Sequence, residues 1–289
     1  MTVTRGLLFF VPTGMGTGTH LDAMTRRKFL TTASATAAGA ATAVTPLSAA
    51  PAPGPAREYY ELRRYHLRRG PRQQVFENYL RDAWLPAMGR AGIGPIGVFH
   101  VQVGPQSPSL YTLIPYPSLE AFSAVSGQLG SDAAYRAAGA DAMAAPASDP
   151  VYLGVESSLF ASVRGMPKLE VPPQKKENKG RVFELRIYQS HNKGANRRKI
   201  DMFNDGELDL FRRTGLTPVF FGEALIGDRL PNLTYLLVFD DLATRDVAWR
   251  TFATSPEWKV MSSTPGLTDP EIVTDISNVL LRPTAYSQL

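Results

Sequence analysis

The chain has 289 residues, 44% of them apolar and 20% charged, with a formal net charge of +5 and no cysteine. Such a composition can bury a core, and the lack of cysteine excludes disulfides, thiolate metal sites, iron–sulfur clusters and a cysteine nucleophile. Residues 1–56 carry +3 of the charge, from Arg5, Arg26, Arg27 and Lys28 against Asp22. The remainder is close to neutral and shows no basic stripe interleaved with aromatics, so nucleic acid is not an expected partner.

Thr25-Arg26-Arg27-Lys28-Phe29-Leu30 has the form of a twin-arginine export motif, and the run Thr31 to Ala50 that follows it is uncharged and rich in Ala and Thr. Those residues are weakly hydrophobic for a membrane span. The expectation is a signal peptide within an N-terminal extension, 1–56, with Tat export to the periplasm or the cell exterior. Cleavage is expected near Ser48-Ala49-Ala50 or Gly54-Pro55-Ala56, leaving no span; without cleavage the segment would persist as an anchor. Met24, directly before the motif, is an alternative start to Met1.

Beyond residue 56 the chain repeats itself. Tyr60-Glu61-Leu62-Arg63-Arg64-Tyr65 returns as Phe183-Glu184-Leu185-Arg186-Ile187-Tyr188, 123 positions later. The same offset aligns Arg90-Ala91-Gly92-Ile93-Gly94-Pro95 with Arg213-Thr214-Gly215-Leu216-Thr217-Pro218. It also pairs Leu110 with Leu233, Leu119 with Leu242 and Tyr135 with Trp258. The register then slips by three, matching Asp149-Pro150 to Asp269-Pro270. Repetition over several segments indicates a duplicated unit, here 57–165 and 180–284. The stretch 166–179, rich in Pro, Lys and Glu, reads as an exposed linker.

In the first copy, alternation predicts a strand at 59–66. Val75, Tyr79, Leu80, Leu85 and Met88 predict a helix over 71–90, closed by Gly92. Strands follow at 96–103 and 110–116, with a turn at 104–108. Ser118 can cap a second helix, Tyr135 lies in a further helical piece, and 151–163 is the last strand. The second copy predicts elements at 182–189, 195–214, 218–227, 233–239, 242–262 and 271–282. The order β-α-β-β-α-β is the split, ferredoxin-like arrangement, with helices on one sheet face. The expected fold class is therefore α+β: two tandem ferredoxin-like domains packed sheet to sheet as a barrel-like pseudo-dimer.

The twice-repeated Tyr/Phe-Glu-Leu-Arg-x-Tyr opening, the Gly-x-x-Pro after the first helix and the segment around Trp258 resemble the NIPSNAP domain in both copies. The resemblance implies the dimeric α/β barrel superfamily, whose members include cofactor-independent monooxygenases, small-molecule lyases and haem-handling proteins. The NIPSNAP family has no generally established reaction, so the resemblance implies a fold and only an analogy of function.

On a strand, alternate side chains share a face. Glu61, Arg63 and Tyr65 therefore share one face, as do Glu184, Arg186 and Tyr188. These polar faces are assigned to the barrel interior, and Phe183, Leu185 and Ile187 to the helices. Two readings stand: the charges pair with each other and with the Tyr hydroxyls, or the Arg forks bind an anionic ligand with Tyr as donor and Glu as base. Alternation also places His100 inside the barrel, as a haem ligand, an acid–base group or simply a hydrogen-bonded side chain. His66 is assigned to the helix side or the strand end, and His191 to solvent. No metal site is expected, because no two histidines have helical metal spacing, and no cofactor is identified. No phosphate loop, dinucleotide fingerprint or nucleophile elbow occurs. Trp84 and Trp249 read as core or interface residues.

Two functions fit these residues. One is a non-catalytic small-molecule-binding or interaction module, compatible with self-association. The alternative is a monooxygenase-like or haem-handling enzyme that uses the barrel interior.

Overall fold

A computed structural model describes residues 57–105 and 107–289. The twin-arginine motif, the apolar run, the cleavage sites and both start methionines lie outside the described residues. Among the described residues no helix is long and apolar enough to cross a membrane.

The first copy runs β1 (Tyr59–His66), α1 (Arg72–Asn78), a π-helical turn (Tyr79–Trp84), α2 (Leu85–Arg90), β2 (Gly97–Val103) and β3 (Ser109–Tyr116). It continues with α3 (Leu119–Ser131), α4 (Ala133–Ala138), α5 (Ala140–Met143) and β4 (Gly154–Ser162). After α6 (Pro173–Lys176) the second copy repeats the pattern. It comprises β5 (Val182–Gln189), α7 (Lys193–Met202), a π turn (Phe203–Glu207), α8 (Leu208–Arg213), β6 (Thr217–Ile226) and β7 (Asn232–Phe239). Then come α9 (Leu242–Thr254), α10 (Pro256–Ser263), α11 (Asp269–Ile272) and β8 (Asp275–Pro283).

The local causes of these elements repeat as well. Ser118 accepts from the Ala121 amide, and Asp241, at the equivalent place, accepts from Thr244. Asp132 and Ser255 cap the following helices in the same way; each such cap is worth about 1 kcal/mol. Gly92 and Gly215 end the first helices with φ of 74° and 88°, a backbone conformation that a side chain would strain.

The strands close into one barrel in the order β1-β3-β2-β8-β5-β7-β6-β4. Each copy supplies four adjacent antiparallel strands, β4-β1-β3-β2 and β8-β5-β7-β6. The two sheets join along β2–β8 and β4–β6, which leaves no free sheet edge.

The face assignment from sequence is reversed. The barrel interior is apolar: Tyr60, Phe99, Phe160, Phe183, Leu185, Phe220 and Leu281 fill it. Glu61, Arg63 and Tyr65, and Glu184, Arg186 and Tyr188, point instead into the layer between sheet and helices, among residues of two separate clusters. An eight-stranded barrel is just wide enough for its side chains to fill, so its enclosed space demands apolar groups. The helical layer is open at its margins and brings polar partners of its own. His100 is corrected likewise: it leaves the interior and meets Glu77 of α1, Nε2 to Oε1 at 3.3 Å. His66 lies on the interior-facing side of β1 at the strand end, 2.7 Å from Glu156.

The connector is also more embedded than its composition suggested. Met166 is buried, and Leu169 and Val171 pack on the barrel cluster. The Leu169 amide donates to Glu58 (2.7 Å) and the Glu170 amide to the Val219 carbonyl (2.9 Å). With Leu289, fully buried beside Gly97, these residues close the barrel end where β1, β2 and β6 begin. Lys168, Glu170, Lys176, Glu177 and Lys179, which gave the segment its polar character, are exposed around those apolar side chains, while Pro172 is buried with them.

Candidate functional site

A cavity of about 470 Å³ opens between sheet and helices in the first copy, with one side to solvent. The sheet contributes Arg63 and Tyr65; the first helix contributes Phe76, Tyr79, Trp84 and Met88. Ser126, Leu129 and Gly130 of α3 and Tyr135 and Arg136 of α4 form the far wall. Arg63 thus emerges among aromatic rings, with Trp84 on one flank, 5.9 Å from the guanidinium carbon to the ring centre.

Glu61 fixes that arginine. Arg63 donates to it twice, from Nε at 2.6 Å and Nη2 at 2.8 Å. The Ser157 hydroxyl (2.7 Å) and the Tyr116 hydroxyl (3.0 Å) also donate to Glu61. Four donors fill the acceptor positions of the carboxylate, so Glu61 is an anchor and has no position left to accept a substrate proton. Arg63 Nη1 has only a long contact to the Tyr65 hydroxyl, at 3.4 Å. Burial alone would lower the Arg63 pKa, but Glu61 and Tyr65 hold it above its ordinary value. Burial pushes the Tyr65 phenol up against the opposing pull of Arg63, and pushes Tyr79 up with help from its bond to Tyr135. The Tyr79 and Tyr135 hydroxyls lie 2.6 Å apart. Tyr65 and Tyr79 are therefore neutral hydrogen-bonding groups at neutral pH.

The second copy holds the same triplet in a closed setting. Glu184 receives Arg186 Nη1 (2.9 Å), Arg245 Nε (2.8 Å) and Nη2 (2.7 Å), and the Trp249 indole N–H (2.7 Å). Burial would raise its pKa; Arg245, Arg186 and Trp249 outweigh this and hold it below the usual carboxylate range. Glu184 is thereby excluded as a base. Trp249 lies across Arg186, 4.3 Å from the guanidinium carbon to the ring centre. It meets Phe211 and Phe252 edge-on at 5.7 and 5.8 Å. At the repeat offset, Arg186, Phe211 and Phe252 correspond to Arg63, Met88 and Leu129, three residues that line the first copy's cavity. Trp249 itself corresponds to Ser126, and Arg245 to Phe122. A serine thus lines the first copy's cavity at the position where the second copy places an indole on its arginine.

A second cleft, about 480 Å³, occupies the open barrel mouth over a floor of Leu62, Phe160, Leu185 and Ile187. Its charged residues stand in opposite-sign pairs: Arg64 with Glu156 at 2.5 Å, and Arg229 with Asp228 at 3.8 Å.

The structure thus brings Glu61, Arg63 and Tyr65 together at an open cavity and Glu184, Arg186 and Tyr188 at a filled one. His100 lines neither space, so no residue presents a histidine for a haem ligand there. No group of three His, Asp or Glu residues that could hold a metal ion occurs among the described residues. Sequence reasoning missed Tyr79, Ser126 and Arg136 as cavity walls. The Ser126–Trp249 mismatch was visible in the repeat, but its meaning depended on where the indole lies.

Comparison with known proteins agrees with this architecture. No curated protein matches the chain. Among solved structures, the "putative monooxygenase" of Lactobacillus acidophilus NCFM superposes with a TM-score of 0.50 at 8% identity, over 78% of this chain and 94% of that one. A second "putative monooxygenase", from Fusobacterium nucleatum, gives 0.51 at 8% identity over 80% and 94%. At these identities the likeness is one of fold. An uncharacterized NIPSNAP-like domain protein from Burkholderia xenovorans is 21% identical over 37% of this chain and 89% of its own, with a TM-score of 0.34. The NIPSNAP family model matches residues 60–146 and 183–288, more than half of the sequence and one match in each copy, and the chain belongs to the NIPSNAP family.

Proposed function

We propose that this chain is a small-molecule-binding module with one open site, the cavity at Arg63 in the first copy, while the second copy is a structural counterpart. The observation that carries this reading is the asymmetry at one pair of positions, Ser126 against Trp249. Where the indole is present, its ring lies on Arg186 and its N–H on Glu184; where it is absent, Arg63 faces a cavity walled by Tyr65, Tyr79, Tyr135 and Met88. A few directional polar groups in a mostly apolar, aromatic wall are what a small-molecule site requires. With both repeat carboxylates saturated, the arrangement favours binding over acid–base catalysis.

The test is mass spectrometry of small molecules released on denaturing the purified protein, with Ser126→Trp in parallel. The expected result is a bound species in the parent protein that is lost in the variant. Retention of that species at unchanged stoichiometry by a folded Ser126→Trp protein would place it elsewhere. We further propose that the module acts outside the cytoplasm after Tat export, on the strength of Arg26-Arg27 and the uncharged run behind it. Replacing Arg26-Arg27 with Lys-Lys should retain the protein inside the cell; unchanged export would refute the route.

A further inference from the structure

The second copy contains an internal guide to what the first copy binds. Trp249 occupies the volume that is vacant beside Ser126, and its ring lies on Arg186 as a flat partner would lie on Arg63. From this pseudo-symmetry we infer the ligand class: a flat, fused two-ring aromatic carrying an anionic group. The inference rests on the cavity reading above and adds the shape and charge of the occupant.

Three observations define the shape. The guanidinium plane of Arg63 is locked by its two bonds to Glu61, so its face is presented in a fixed direction, and a guanidinium face favours a π-system over a saturated ring. Trp84 flanks the same guanidinium. Met88 and Leu129 replace Phe211 and Phe252, so the walls keep their apolar character at the places that touch Trp249 in the other copy. A ring system the size of indole is what this space accepts in the one instance where it is filled.

Polar chemistry defines the rest. The Trp249 N–H satisfies Glu184, but in the first copy Tyr116 and Ser157 already satisfy Glu61. The ligand ring therefore needs no donor of its own. What remains is one weakly bonded guanidinium N–H, on an arginine whose charge Glu61 already meets, and one cation without a carboxylate. Arg63 Nη1 has only its long contact to Tyr65. At the solvent edge, Arg136 donates to the Gly130 carbonyl (2.6 Å) and has no carboxylate partner among the described residues. A carboxylate or comparable anion at the rim, with the rings inward, matches both arginines.

The experiment compares naphthoate with decahydronaphthoate, which share a carbon skeleton and a charge but differ in flatness and π-character. Isothermal titration of the mature protein should show naphthoate binding about tenfold tighter or better, the scale of one cation–π contact. Arg63→Lys should erase most of that preference, because an ammonium keeps the charge without the planar face. Naphthoate binding should vanish in Ser126→Trp. Equal binding of the two acids, both lost in Ser126→Trp, would overturn the flat-ring assignment while leaving the cavity as a binding site. No binding of either acid would overturn the ligand class. Naphthoate binding undiminished in Ser126→Trp would overturn the cavity reading itself. Trp249→Gly supplies a separate check once the first copy's cavity is filled: naphthalene should raise the melting temperature of the Ser126→Trp, Trp249→Gly double variant and leave that of Ser126→Trp alone unchanged, and no rise in the double variant would overturn the indole as a guide to the ligand.

Discussion

The ammonium of Lys199 lies 3.1 Å from the carboxylate of Glu207, with both side chains about 1% exposed. The pair sits among Tyr188, Phe203 and Trp258, whose ring centres are 5.4, 4.8 and 5.4 Å from Nζ. Burial pushes the Glu207 carboxyl above its ordinary range against the pull of Lys199. At the repeat offset the first copy has Phe76 and Trp84, both buried, so the fold has two solutions for one location, ionic and apolar. Removing one buried partner strands the other charge and costs about 3–5 kcal/mol, whereas replacing both is often neutral. Lys199→Met should therefore lower the urea midpoint by an amount corresponding to about 3–5 kcal/mol, and Lys199→Met with Glu207→Leu should recover most of that loss. A double variant no more stable than the single would show that the charges themselves hold the second copy.

Glu184 gives a pH prediction with a definite sign. Its folded pKa is held below the ordinary glutamate value of about 4.3 by Arg245, Arg186 and Trp249, which outweigh burial. A carboxylate with a depressed pKa contributes stability that is present above the unfolded value and is lost as pH falls toward the folded one. The parent protein should lose stability as pH drops from about 5 to 3, and Glu184→Gln should lose less over that window while being less stable at pH 7. Denaturant midpoints of both proteins at the two ends of the window check this. A steeper acid loss in Glu184→Gln would contradict the assignment.

How much of this was legible in the sequence follows from what each signal encodes. The 123-residue echo and the strand alternation carried the β-α-β-β-α-β order and placed the strands close to where they lie. Period-two alternation separates the two faces of a strand, but it does not say which face is enclosed. Glu61, Arg63 and Tyr65 looked like the interior of a ligand-binding barrel. They lie under the helices because their partners come from there and from neighbouring strands: Tyr116 and Ser157 for Glu61, Arg245 and Trp249 for Glu184. Those partners are distant in sequence and have no fixed spacing from the motif. Leu169 and Val171 were hidden for a different reason, being two apolar residues in a connector whose average composition is polar.

His100 provides a control for the candidate site. Its ring meets Glu77 at 3.3 Å and is 30% exposed on the side chain. A partly exposed pair of this kind is worth about 1 kcal/mol or less. His100→Ala should leave the binding of any ligand held at Arg63 unchanged and shift stability by no more than that. Loss of ligand in His100→Ala, with the fold intact by circular dichroism, would restore the histidine to the site.

The seam between β4 and β6 is one of the two along which the copies join into one barrel, and Gly222 is a tight point on it. It pairs with Ser162, and a Cβ on Gly222 would lie 2.7 Å from the Phe160 Cβ. That neighbour is close to the backbone of β4 and cannot swing aside as a flexible side-chain end would. Gly222→Ala should therefore cost about 1–3 kcal/mol, the usual range for overpacking. Gly127 is the opposite case: it lies inside α3, with nothing within 4 Å of the Cβ position. Gly127→Ala should raise stability by about 0.5–1 kcal/mol through helix propensity alone. Because β4 belongs to the first copy and β6 to the second, the Gly222→Ala loss should appear at the same urea concentration whether unfolding is followed near Trp84 or near Trp249. Two separated transitions, one per copy, would mean that the seam does not couple the halves.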